Sequence, residues 1–111
     1  IGVYANDNSI VICNGIRISG CDSRGIIAQM CSTVWANNAH VSGCGGDGVL
    51  STRNSAIFFQ NGTSINNSGN GIRAEILSHV AASNSIVTGN TNGDFSPAAN
   101  QEGNTMSIIQ R

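Results

Sequence analysis

The chain repeats itself every 23 residues. Gly2, Gly25, Gly48 and Gly71 mark the interval, and Ser9, Ser32, Ser55 and Ser78 keep it seven places later. Two residue types locked to one period over four windows argue for a solenoid, because a unit this short cannot bury an apolar face alone and must stack on its neighbours. The units are 2–24, 25–47, 48–70 and 71–93.

Overlaying the units gives columns of like residues. Val3, Ile26, Val49 and Ile72 form one, with Ala5, Ala28, Ser51 and Ala74 two places on. Val11, Val34, Ile57 and Val80 form a second, beside Cys13, Ala36, Phe59 and Ala82. A third pair runs through Ile16 and Ile18, Ala39 and Val41, and Ser85 and Val87, and it blurs in the third unit, where Ile65 falls one place late. Inward positions two apart have the period of a strand, not of a helix. Each coil is therefore predicted to carry three short strands joined by Gly, Asn and Ser corners, in an all-β, parallel β-helix whose coils rise by about 4.8 Å. The serine column falls at the corner between the first two strands, where a short hydroxyl can satisfy turn backbone.

The coils occupy 1–93, and 94–111 reads as a cap and last strand of the same domain. Asp94 stands where the next Gly is due and Phe95 continues the first column, as a plug for the open end. Pro97 then removes a ladder donor and the pattern dissolves over 99–104, before 106–110 returns as a short apolar strand that either closes the last coil or crosses to another subunit. The first strand would leave an open sheet edge, from which we expect preceding coils in a longer polypeptide.

With 10% charged residues, a net charge of −1 and no lysine, the chain lacks the basic footprint of a nucleic-acid binder. It also lacks an apolar run of the roughly 20 residues needed to span a bilayer as a helix.

The outward positions differ between faces. Ile12, Trp35 and Phe58 form an apolar column on the second strand, and Tyr4, Ile27 and Leu50 another on the first. The third strand shows Arg17, His40 and Thr63 instead. A contiguous apolar strip is seldom left exposed, so the first two faces are expected to be a subunit interface and the third a solvent or ligand face. The rival reading makes Trp35 and Tyr4 sugar-stacking aromatics in an open groove.

The segments GVYANDNSIVICNGIRISGC, GIIAQMCSTVWANNAHVSGC and GIRAEILSHVAASNSIVTGN resemble the repeat of the right-handed, pectate-lyase-like β-helices of bacteriophage tailspikes and tail fibres. The ending NGDFSPAANQEGNTMSIIQR is similar to the way some of those chains finish. The resemblance covers nearly the whole chain and specifies architecture better than activity. It implies a homotrimer on the virion tail, folded in the bacterial cytoplasm, that contacts host cell-surface polysaccharide, often beside a depolymerase site in upstream coils.

Other chemical signals are weaker. Gly43, Gly45 and Gly48 match G-x-G-x-x-G, yet a strand-like segment follows where a phosphate site needs a helix, so this is a coil corner. Leu50 stands where the calcium-binding β-roll repeat needs Asp. Cys13, Cys21, Cys31 and Cys44 lack metal-ligand spacing. Cys21 and Cys44 share a column but with parallel Cβ vectors, so free thiols are expected. The sequence asks for no cofactor and no metal.

Asn61-Gly-Thr and Asn66-Asn-Ser are glycosylation sequons by pattern alone. An ice-binding solenoid would need a regular Thr-x-Thr ladder, which is missing.

Sugar cleavage needs paired carboxylates, or a carboxylate with a cation, on one patch. The six acids sit at scattered offsets. Arg73 with Glu75, and Asp47 above Arg24, read as exposed ion pairs. Two functions follow as expectations. One is a non-catalytic tailspike module for trimer assembly and glycan attachment. The other is part of a polysaccharide lyase or glycosidase, with Asp22, Asp47 and Arg24 completing a site with other coils or chains.

Overall fold

The computed structural model describes residues 1–103 and 106–111. Every element in it is a strand. The first coil holds β1 (Val3–Ala5), β2 (Ile10–Ile12) and β3 (Arg17–Ser19), and the second β4 (Ile26–Ala28), β5 (Thr33–Trp35) and β6 (His40–Ser42). The third holds β7 (Val49–Thr52), β8 (Ala56–Phe58) and β9 (Thr63–Ile65), and the fourth β10 (Asn70–Glu75), β11 (His79–Ala81) and β12 (Ile86–Thr88). Then come β13 (Gly93–Ser96) and β14 (Ile108–Gln110).

The strands stack into three parallel sheets, ordered β1-β4-β7-β10-β13, β2-β5-β8-β11-β14 and β3-β6-β9-β12. Register follows the 23-residue interval: Val3 pairs with Ile26, Ile26 with Val49, Val49 with Ile72, and Val11 with Val34, Val34 with Ile57, Ile57 with Val80. The chain is thus a parallel β-helix of about four coils. Its interior rows run through Ile26, Val49 and Ile72, through Val34, Ile57 and Val80, and through Ile18, Val41 and Val87, and all of these belong to one core cluster. Burying each such side chain contributes about 1.5–3 kcal/mol.

The corners hold because side chains take over backbone bonds. Ser32, Ser55 and Ser78 each accept, through Oγ, the backbone N–H of the serine one coil earlier, at 3.1–3.2 Å. A fifth rung, Ser107, accepts from Ser78 N at 3.1 Å. Further round, Asn67 Oδ1 accepts from Cys44 N and Asn90 Oδ1 from Asn67 N, each at 3.0 Å. Cys21, Cys44, Asn67 and Asn90 are therefore one column, half of it thiol and half amide. The asparagines reach acceptors and donors that a thiol would leave unmatched.

Phe95 pairs in register with Ile72 and packs against the core, under the Arg111 guanidinium at 4.9 Å. β14 pairs with β11, and Ile109 is fully buried. The expected loss of pattern over 99–104 falls partly on Asn104, outside the described residues. What precedes it is a short connection in which Glu102 bridges Ile108 antiparallel.

Candidate functional site

Three surface features carry the polar and aromatic side chains that the sequence singles out. The first is a groove of about 330 Å³ at the corners where third strands lead into first strands, lined by Asp22, Arg24, Gly46, Asp47, Gly69 and Arg73 among others. Its glycines let successive corners nest, since a Cβ on Gly69 would meet Asp47 N and Oδ1 at 2.6 Å. Asp47 organises the wall. Its Oδ1 accepts from Asn70 N at 2.8 Å and Asn70 Nδ2 at 3.1 Å, and its Oδ2 faces Arg24 Nε at 3.5 Å and Arg73 Nη1 at 3.7 Å. Arg73 also donates to Glu75 at 2.7 Å, and Thr52 donates to the other oxygen of Glu75 at 3.3 Å.

Both expected ion pairs therefore form, with one correction. Asp47 is not an exposed partner, since its side chain is only 5% accessible while the guanidiniums stay about two-fifths open. The nested glycine corners enclose the carboxylate and leave the longer arginines at the rim. Asp22 adds an exposed carboxylate to the same wall. The arrangement offers fixed guanidinium donors, amide groups and one solvated acid, a lining suited to hydrogen bonding with hydroxyl or carboxylate groups.

The second feature is the outer row of the third sheet. Arg17 pairs with His40 and His40 with Thr63, so the three residues expected to face a glycan lie one above another. The row ends differently from expectation. Thr63 pairs with Ile86, which is 60% exposed, so this face carries an apolar residue at its upper end.

The third is the aromatic column. Trp35 and Phe58 stack with centroids 4.1 Å apart and planes 14° from parallel, and Ile12 continues the row at 73% exposure. Tyr4 is exposed on the neighbouring sheet, where its hydroxyl lies 2.5 Å from Gln29 Nε2. Ile27 and Leu50, expected beside it on the open strip, are each only 4% exposed. They lie outside the core cluster, but each is sandwiched in register: Ile27 between Tyr4 and Leu50, Leu50 between Ile27 and Arg73. A mid-stack position covered above and below by long side chains has little surface left.

All four cysteines are free thiols. Burial pushes the Cys13 and Cys44 thiols up from the ordinary range; for Cys44 a hydrogen bond with the Cys21 backbone opposes this and the Cys21 thiol adds to it. Neither is thereby made a nucleophile.

No protein family, curated protein or solved structure matches the chain. Two signals lay beyond the repeat-based reading. Asn67 and Asn90 continue the Cys21–Cys44 column under a different residue type, and Arg73 reaches Asp47 across an offset of 26, not 23.

Proposed function

We propose that this chain is a β-helical module of a trimeric bacteriophage tailspike or tail fibre, which assembles with copies of itself and presents a polar face to a host surface polysaccharide. The repeat resemblance supports the class. The observation that carries the reading is the Trp35–Phe58 stack, continued by Ile12 on the open side of the second sheet. In a chain with only 5% aromatic residues, an exposed Trp35 stacked on a half-buried Phe58 along an apolar strip is the mark of a surface that meets another protein. The Arg17–His40–Thr63 row then serves as the glycan face. Such a module would be folded in the bacterial cytoplasm and displayed on the virion tail.

Analytical ultracentrifugation at micromolar concentration tests the assembly, with a trimer expected and a stable monomer contradicting it. Binding of host capsular or lipopolysaccharide glycan, compared between the native chain and Arg17→Ala with His40→Ala, tests the face. Unchanged binding in the variant would remove that row from the site.

Cleavage of the polysaccharide at the Arg24–Asp47–Arg73 groove is favoured by the concentration of charged groups there. Asp47 is engaged by Asn70 and two guanidiniums, which leaves proton transfer to Asp22. New reducing ends or unsaturated products on incubation with host capsule would support this reading, and their absence would exclude it.

A further inference from the structure

Each coil turns from its first strand to its second through two consecutive residues of positive φ. The pairs are Asp7 and Asn8, Met30 and Cys31, Arg53 and Asn54, and Ile76 and Leu77, all between 54° and 62°. Asn and Asp tolerate left-handed backbone, whereas a β-branched residue there is a genuine outlier. The first coil meets the demand with Asp and Asn. The fourth places Ile and Leu in the same conformation and leaves them in water, 43% and 57% exposed, and Met30 on the second coil is 44% exposed. These residues are unfavourable twice over, in left-handed backbone and in exposed apolar surface.

This corner borders the face of the second sheet, where Ile10, Ile12 and Trp35 are exposed, and has exposed Tyr4 on its other side. Seven side chains of this size, each roughly half open, present on the order of 700 Å², against the ~800 Å² that each partner buries in a stable interface. Every copy carries the same apolar edge, so turning that edge to a symmetry axis lets one operator cover it on all copies, and its area is close to what one such contact needs.

We infer that copies of this chain assemble with the corner between first and second strands on the axis, lined by Met30, Ile76 and Leu77. The inference rests on the self-association proposed above and adds which edge makes it.

The test replaces Ile76→Asn and Leu77→Asn together. Asn suits left-handed backbone, so the folded chain is expected to keep its far-UV circular dichroism and melt no lower once dissociated. Sedimentation equilibrium is run on native chain and variant over the micromolar range. The expected result is an associating native chain and a variant whose association constant falls at least about tenfold. A variant that assembles as tightly as the native chain would overturn the corner while leaving self-association intact. A native chain that stays monomeric would end both. A Met30→Asn variant, one corner residue two coils away, should weaken assembly in the same direction.

Discussion

Gly62 faces the ring of Phe59 so closely that a methyl group on it would come within 2.5–2.6 Å of three ring carbons. The equivalents of Phe59 are Cys13, Ala36 and Ala82, and those of Gly62 are Ile16, Ala39 and Ser85. In the third coil the bulk sits in the Phe59 column, and the fully buried ring lies against Gly62, the residue just before β9. Gly62→Ala should therefore cost about 1–3 kcal/mol by overpacking, and Phe59→Ala about 3–5 kcal/mol by leaving a cavity. The double variant should cost less than the sum, since the alanine methyl enters vacated space. Urea denaturation of all three gives the coupling. Strict additivity would mean that the two positions do not share the volume.

The serine ladder is predicted to be unequal along its length. Ser55 Oγ is the acceptor for Ser32 N at a site where Ser32 is 1% exposed, so Ser55→Ala leaves a buried N–H without that partner and should cost about 1–3 kcal/mol. Ser9, at the end of the stack, accepts no serine N–H among the described residues and donates its hydroxyl to Asn6 O, so Ser9→Ala should cost under about 1 kcal/mol. Equal losses in paired denaturation curves would deny the hydroxyls their role as acceptors.

The half-buried Cys13 thiol and the buried Cys44 thiol set an alkaline limit. Folding raises the pKa of Cys13 and Cys44, chiefly by desolvation, so above about 8.5, where an ordinary thiol ionises, the unfolded chain releases protons that the folded chain keeps. The unfolded state then binds fewer protons and stability falls as pH rises, the full value being present below the unfolded pKa. Urea midpoints should drop between pH 8 and pH 10.5 in the native chain. The drop should be smaller in Cys13→Ala with Cys44→Ala. At neutral pH, iodoacetamide should label exposed Cys31 well before Cys44. Equal labelling rates would contradict the burial.

Periodicity made the three interior rows legible, because stacking forces equivalent residues into contact whatever their identity. It served less well where the physics was not periodic. Ser107 stands 29 residues after Ser78, so the fifth rung of the ladder hides behind six extra residues in the last coil. Asn67 and Asn90 share a column with two cysteines, which a search for like residues separates. Exposure was the hardest property to read. The strand period says that Ile27 and Leu50 lie outside the core but not that Tyr4, Arg73 and each other cover them.

Asp47 gives the groove its shape, and two substitutions separate how. Asp47→Asn keeps a side-chain carbonyl for Asn70 N, now at 2.8 Å, and loses only the attraction to Arg24 and Arg73. Those guanidiniums are about two-fifths exposed and lie 3.5 and 3.7 Å away, so screening should hold the loss under about 1 kcal/mol. Asp47→Ala also strips the acceptor from a part-buried N–H and should cost about 1–3 kcal/mol more. Because Arg73 keeps Glu75 at 2.7 Å while Arg24 has no second carboxylate among the described contacts, Arg24 is the one expected to swing out of the groove in either variant. Denaturation midpoints at low and high salt separate the two contributions. If Asp47→Asn proves as damaging as Asp47→Ala, and salt weakens the native chain to match, then charge and not the bond to Asn70 holds this corner together.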